Sequence, residues 1–75
     1  METNHIVDLE GFSCSMLIIK TKKALDELQS GEILELHTND KGSLNDLKAW
    51  TKSVGHELLK TEEENGKLKF WIKRA

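Results

Sequence analysis

The last strand-like segment of the chain has apolar residues on one face only. In residues 67–73, KLKFWIK, every second residue from Leu68 onward is apolar, and most of the others are lysine. This period of two is typical of a strand that is buried on one side. An Asn65-Gly66 pair joins it to another strand-like segment, residues 56–62, and predicts a β-hairpin. A sheet with one apolar face needs a second layer to cover that face.

Two amphipathic segments can supply the covering layer. Residues 15–28 place apolar residues and threonine at helical spacing. A segment that starts at Ser43 repeats the pattern, and its expected inner face consists of Leu44, Leu47, Trp50, Thr51 and Val54. Ser13 or Cys14 is the expected cap of the first helix. Ser43 is the expected cap of the second helix, with Asp46 three residues later in an arrangement that resembles a capping box.

The order of the segments predicts the fold. Strand-like residues 5–9 precede the first helix, strand-like residues 32–38 precede the second helix, and the hairpin comes last. The resulting order is β-α-β-α-β-β. We therefore expect an α+β fold, a two-layer α/β sandwich in which a four-stranded mixed sheet carries both helices on one face. A chain of 75 residues makes one domain, residues 1–75, with room for a surface site but hardly for a deep pocket.

Charge, hydropathy and cysteine content narrow the possible functions. The formal net charge is −2 and the pI is about 5.9, which makes direct nucleic-acid binding unlikely in a chain without a basic stripe. The longest apolar run, residues 16–19, is much shorter than the roughly 20 residues of a membrane span. One cysteine cannot form an internal disulfide, and three scattered histidines do not suggest a metal site. We therefore expect a cytoplasmic protein that binds no membrane and no metal.

The single cysteine is the residue best suited to chemistry. Cys14 lies where the first strand ends and the first helix begins, between Ser13 and Ser15. The N–H groups at a helix start favour an anion, although this effect lowers a thiol pKa of roughly 8.5 by less than about one unit. Three lysines that follow in the helix add positive charge: Lys20, Lys22 and Lys23. Cys14 is either a reactive thiol or a small buried residue of the core, and its polar neighbours favour exposure.

Several segments carry a family resemblance. VDLEGFSC contains Asp8, Leu9, Gly11 and Cys14, and TNDKGSLNDLKAW contains Asp40, Gly42, Ser43 and Asp46. IIKTKKALDELQSGEILEL and GHELL supply further typical stretches. Over nearly its whole length, the sequence resembles the TusA/SirA family of small sulfur-carrier proteins.

The resemblance implies a role in a cytoplasmic sulfur relay. In that family, the cysteine of a Cys-Pro-x-Pro motif accepts a sulfane sulfur from a donor such as a cysteine desulfurase. It then carries the sulfur as a persulfide to an acceptor protein, without a bound cofactor. Known outlets include 2-thiouridine formation in tRNA, sulfur oxidation and molybdenum cofactor supply. Cys14 would be the carrier of this sulfurtransferase-like protein, supported by Ser13, Ser15, Lys20, Lys22 and Asp40.

The chain differs from the family at the motif itself. Cys14-Ser15-Met16-Leu17 stands where the family has Cys-Pro-x-Pro, and Lys41 stands where many members have proline. The two missing prolines remove a stiffening of the first turn, and Ser15 and Leu17 each add a backbone N–H. These donors could bind a thiolate or persulfide, or the side chain of Ser13. A different class of function therefore stays open, a non-catalytic interaction or regulatory domain that has lost sulfur transfer.

Other polar and aromatic residues have simpler expected roles. We expect His56 to have a surface or packing role, since nothing in the spacing places it beside Cys14. Asp40 is expected to cap a helix start, and Trp50 to belong to the core. Trp71 lies on the charged face of the last strand, where it either contacts a partner or packs beneath lysine side chains.

Overall fold

The computed structural model describes residues 3–75, with the backbone alone at Cys14. Its elements follow the predicted order: β1 (His5–Asp8), α1 (Cys14–Asp26), β2 (Ile33–Thr38), α2 (Ser43–Val54), β3 (Glu57–Glu64) and β4 (Lys67–Lys73). The four strands form one mixed sheet in the order β1-β2-β4-β3. β1 runs parallel to β2, and the other two pairs are antiparallel. The predicted α+β architecture is confirmed.

The core lies between the sheet and the two helices. Leu34 and Leu36 of β2 and Phe70 of β4 are fully buried beneath Leu17 and Leu25 of α1. Because strand residues alternate between faces, the other face of the sheet carries the polar residues. The predicted alternation in β4 therefore places Leu68, Phe70 and Ile72 on the side that the helices cover.

Two threonines on the inner faces of the helices are buried, as their spacing predicts. Thr21 of α1 is 0% exposed and Thr51 of α2 is 2% exposed. Trp50 is partly buried and packs against the core. The prediction that Val54 lies on the inner face was wrong, because Val54 is 47% exposed at the last residue of α2.

The hairpin between β3 and β4 has the predicted turn. Asn65 and Gly66 both have positive φ, 53° and 79°, which is the conformation of the two central residues of a type I′ turn. The β3–β4 register shifts between Leu58 and Lys60, so Leu59 is an extra residue on the edge strand. Such a bulge increases the twist of an edge strand and hinders further pairing along it.

The helix starts differ from the capping predictions. Ser13 is the N-cap of α1, but its side chain makes no capping hydrogen bond. The N-cap of α2 is Gly42, and Ser43, expected to be the cap, is instead the buried first residue of that helix. The Ser43 hydroxyl donates to the Asp40 carbonyl oxygen at 2.5 Å, so it is directed at the loop that precedes α2. The expected capping box with Asp46 is therefore not formed.

Candidate functional site

Cys14 is the first residue of α1 and follows a short loop, residues 9–13, that leaves the end of β1. Ser13 has an extended backbone, with φ −74° and ψ 165°. Its carbonyl oxygen accepts the N–H of Leu17 at 2.8 Å, which is the first bond of the helical i to i−4 series. The sequence therefore places the thiol-bearing residue in the first turn of a regular helix.

The first-turn amides of α1 are not capped by the side chain before them. The Ser13 hydroxyl lies 3.4 Å from the Ser15 hydroxyl and makes no capping bond. The N–H of Ser15 precedes the first helical bond, so it belongs to the donors that a helix start directs outward. The N–H of Leu17 does not, because Ser13 accepts it. Of the two donors gained by the loss of the motif prolines, only that of Ser15 can therefore serve a ligand.

Backbone hydrogen bonds hold the loop before Cys14 against β2. Leu9 donates its N–H to the His37 carbonyl at 2.7 Å, and Phe12 donates its N–H back to the Leu9 carbonyl at 3.3 Å. The N–H of Glu10 is donated to Asp8 Oδ1 at 3.1 Å. Together these bonds close a compact turn between the strand and the helix.

Two side chains from distant parts of the chain reach the same loop. Asn39 Oδ1 accepts the N–H of Gly11 at 3.1 Å, and Lys67 Nζ lies 3.0 Å from Glu10 Oε1. The hydrogen bond to Glu10, followed by the charge of Glu10, raises the pKa of Lys67. Sequence reasoning missed both contacts. The only local signal was an asparagine directly after a strand, where its side chain commonly bonds to loop backbone.

The expected cluster of positive charge beside Cys14 is only partly assembled. Lys20 turns back toward the loop, with Nζ 4.9 Å from the ring centre of Phe12. Lys22 Nζ lies 3.3 Å from Oδ2 of Asp26, one turn further along the helix. The Asp26 carboxylate therefore offsets the charge of Lys22. Lys23 lines a shallow groove between α1 and the edge strand β1. Of these three lysines, Lys20 is therefore the one that contacts the loop before Cys14, at Phe12.

Asp40 organises the loop between β2 and α2. Its Oδ1 accepts the N–H of Gly42 at 3.0 Å, and its own N–H is donated to Thr38 Oγ1 at 3.2 Å. Since Thr38 is fully buried, this loop has a fixed anchor in the core. Asp40 thus lies in the loop that precedes α2, next in sequence to the residue that contacts Gly11.

Apolar side chains surround the start of α1. Phe12, Met16 and Ile19 are 37%, 42% and 60% exposed. Ser13 and Ser15 are also exposed. The residues on both sides of Cys14 therefore form an accessible surface of mixed character, suited to contact with another protein.

The remaining candidates lie elsewhere. His56 lies 5.8 Å from the Trp50 ring and accepts the N–H of Ala75 at 3.0 Å. Burial, and then the charge of Arg74, lowers the pKa of His56. Trp71 is only 8% exposed, and Lys60 Nζ lies 5.5 Å from its ring centre. Of the two roles considered for Trp71, the structure favours packing beneath a lysine side chain.

The described residues form neither a metal-binding cluster nor a membrane-spanning helix. No group of three or more acidic, histidine or cysteine side chains among the described residues is arranged to hold a metal ion. Neither of the two helices in this part of the chain has the length and the apolar character to cross a bilayer.

Comparison with known proteins identifies the family. Residues 5–74 match the family model described as sulfurtransferase TusA. The chain belongs to the TusA family. A Bacillus subtilis (strain 168) protein with the name "Putative sulfur carrier protein YrkI" is 51% identical to it over 75 residues, the whole length of both chains. The sulfur carrier protein TusA of Allochromatium vinosum is 38% identical over 69 residues, which cover 92% of this chain and 91% of that protein.

A solved structure supports the TusA fold independently. The crystal structure of a SirA-like protein from Desulfitobacterium hafniense superposes with a TM-score of 0.80 and 25% identity. The match covers 92% of this chain and 95% of the other. The resemblance to the TusA/SirA family is thus confirmed in sequence and in fold.

Proposed function

We propose that this TusA-family protein is a sulfur carrier that accepts a sulfane sulfur on Cys14 as a persulfide. The observation that carries the proposal is the place of Cys14 at the first position of α1, in a chain that matches the family over residues 5–74. The related TusA of Allochromatium vinosum is named a sulfur carrier protein, and the related YrkI is named a "putative sulfur carrier protein". Donor and acceptor would both be proteins, and the location would be the cytoplasm.

The proposed transfer conserves atoms and electrons. The Cys14 thiolate attacks the terminal sulfur of a persulfide on the donor, such as a cysteine desulfurase. The sulfur–sulfur bond of the donor breaks, its cysteine leaves as a thiolate, and a new sulfur–sulfur bond forms on Cys14. An acceptor thiolate then repeats the attack on the terminal sulfur held by Cys14. No external oxidant or reductant is needed, because the same sulfane sulfur moves at each step.

The first turn of α1 supports this chemistry in the absence of the motif prolines. The Ser15 N–H and the positive end of the helix favour a thiolate or persulfide anion. The contribution is small, since a helix start is worth about 0.3–1 kcal/mol. We therefore expect most of the acceleration of sulfur transfer to come from the partner protein. The partner would contact the exposed side chains of Phe12, Met16 and Ile19.

Mass spectrometry of the intact protein tests the proposal. We expect incubation with a cysteine desulfurase and L-cysteine to add one sulfur atom, and a thiol reductant to remove it. Cys14→Ala should gain none, and omission of the desulfurase is the matched control. Failure of the wild-type chain to gain sulfur from any desulfurase tested would contradict the carrier role.

The competing function is a TusA-fold interaction or regulatory domain without sulfur transfer. It is favoured by the motif Cys14-Ser15-Met16-Leu17, which lacks both prolines of the family. Alkylation at neutral pH separates the two functions. A Cys14 that reacts faster than a free thiol supports the carrier, and an unreactive Cys14 supports the interaction domain.

We further propose tRNA thiolation as the outlet of the relay. The test is the 2-thiouridine content of tRNA in a strain that lacks this gene. Wild-type protein should restore the modification and Cys14→Ala should not. Unchanged 2-thiouridine in the deletion strain would direct the search to another acceptor pathway.

A further inference from the structure

Two consecutive loop residues before Cys14 are held from two different sides. Gly11 donates its N–H to Asn39, which follows β2. Glu10 forms an ion pair with Lys67, the first residue of β4. The side chains of Glu10, Asn39 and Lys67 line one open groove of about 480 Å³, which the turn of the hairpin also borders. The loop therefore bridges the end of β2 and the start of β4.

We propose that Asn39 and Lys67 are positioning residues that hold the Cys14 loop for sulfur transfer. This inference rests on the carrier role of Cys14 proposed above. It assigns two residues outside the Cys-Pro-x-Pro motif region to the site, one through a hydrogen bond and one through an ion pair.

Asn39 is well placed for such a role because hydrogen bonds tie its own loop to a buried residue. The neighbouring Asp40 is tied to the buried Thr38 hydroxyl and to the Gly42 N–H. Gly11 has a φ of 87°, a conformation that a residue with a side chain adopts only at a cost. Glycine is more flexible in the unfolded chain than any other residue, so the loop has more conformational freedom to lose on folding. The hydrogen bond from the Gly11 N–H to Asn39 restrains this residue in the folded protein.

Lys67 acts on the adjacent residue by a different force. Both members of its pair with Glu10 are partly exposed, with 43% and 39% of their side chains accessible. Such a pair is weak by itself and weakens further in salt. Acting beside the Gly11 bond, it adds a second restraint on the direction in which the loop leaves β1. The absence of the two motif prolines makes this external support more important, because the first turn is less stiff by itself.

The test uses a variant and a matched control for each contact. Asn39→Ala removes the acceptor for Gly11, and Asn45→Ala changes an exposed asparagine on α2. Lys67→Met removes the charge but keeps the side-chain length, and Lys73→Met does the same at the other end of β4. The double exchange Glu10→Lys with Lys67→Glu restores an ion pair with reversed direction.

Four measurements are made on each folded variant. Amide hydrogen exchange of Gly11 reports the loop itself. The pH profile of Cys14 alkylation by iodoacetamide reports the thiol. Sulfur transfer from a cysteine desulfurase gives kcat/KM, and urea unfolding reports global stability.

We expect Asn39→Ala to speed Gly11 exchange and to lower kcat/KM for sulfur transfer by about fivefold, since small displacements of a reacting group have large effects on rate. The alkylation profile should shift to higher pH. Lys67→Met should have a smaller effect on transfer, about twofold to threefold, and the double exchange should recover most of it. Neither control should change any of these readouts.

Two results would overturn the proposal. One is faster Gly11 exchange with transfer and alkylation both within twofold of the wild type. The other is loss of transfer in Lys67→Met that the double exchange does not recover, together with unchanged Gly11 exchange in Asn39→Ala. If the wild-type chain accepts no sulfur at all, the carrier function fails separately. Gly11 exchange and Cys14 alkylation then still decide whether the two residues hold the loop.

Discussion

Trp71 donates its indole N–H to Glu35 Oε1 at 3.0 Å, directly across the β2–β4 pair. The second oxygen of this carboxylate contacts the ring of His37. Lys60 covers the indole from β3. These contacts lie on the face of the sheet without helices. They explain why a large aromatic side chain is almost fully buried there.

The Glu35 network makes stability depend on pH. The hydrogen bond from His37 is the main cause of a lowered Glu35 pKa, with Trp71 and Lys69 also lowering it and burial opposing them. A carboxyl whose pKa is lower in the folded state stabilises the fold at pH values above its ordinary pKa, which is 4.5 for Glu35. This contribution is lost as the pH falls through the pKa of the folded state.

We therefore expect the free energy of unfolding to fall between about pH 5 and pH 3, and to fall less in Glu35→Gln. Urea unfolding at each pH measures it, with the exposed Glu57→Gln as control. An identical pH dependence in wild type and Glu35→Gln would contradict the assignment.

The Thr21 hydroxyl offers a stability test inside the core. Thr21 Oγ1 is buried and has no hydrogen-bond partner among the described residues, whereas the equally buried Thr51 donates to the Leu47 carbonyl at 2.8 Å. Thr21→Val should stabilise the fold by about 1 kcal/mol, because it removes an unpaired buried hydroxyl. Thr51→Val should be neutral or destabilising. Urea unfolding of both variants decides, and a destabilised Thr21→Val would show that its hydroxyl is paired.

Partial restoration of the family motif should separate its two prolines. Ser15 is exposed and lies before the first helical hydrogen bond, so Ser15→Pro should keep or raise stability, by up to about 1 kcal/mol. Leu17 is fully buried and its N–H bonds to Ser13. Leu17→Pro should therefore cost about 3 kcal/mol or more. Thermal unfolding compares the two, and equal losses would contradict the helix start described here.

Gly66 should be the more sensitive residue of the β3–β4 turn. Its φ is 79°, and a Cβ added there would meet no atom within 4 Å. The cost of Gly66→Ala is then purely conformational, about 1 kcal/mol. Asn65→Gly should change stability by a few tenths of a kcal/mol at most, since glycine adopts positive φ freely. Loss of the same size in both variants, measured by urea unfolding, would argue against a type I′ turn.

Local patterns in the sequence were sufficient for the order of elements, for the inner faces of β4 and of both helices except at Val54, and for the Asn65-Gly66 turn. Each depends on residues close together in the chain, where the side-chain period or the φ preference acts directly. The family resemblance also came from such local stretches. The position of Cys14 at the start of α1 belongs to this class.

Contacts between distant residues were decided only by the tertiary structure. Ser43 was expected to cap α2, but the packing of the β2–α2 loop turned its hydroxyl to Asp40. The burial of Trp71 depends on Glu35 and Lys60, from two other strands. Asn39 and Lys67 approach the Cys14 loop only because β2 lies between β1 and β4 in the sheet. Sequence periodicity fixes which face a residue occupies, but strand order and register determine which distant residue lies next to it.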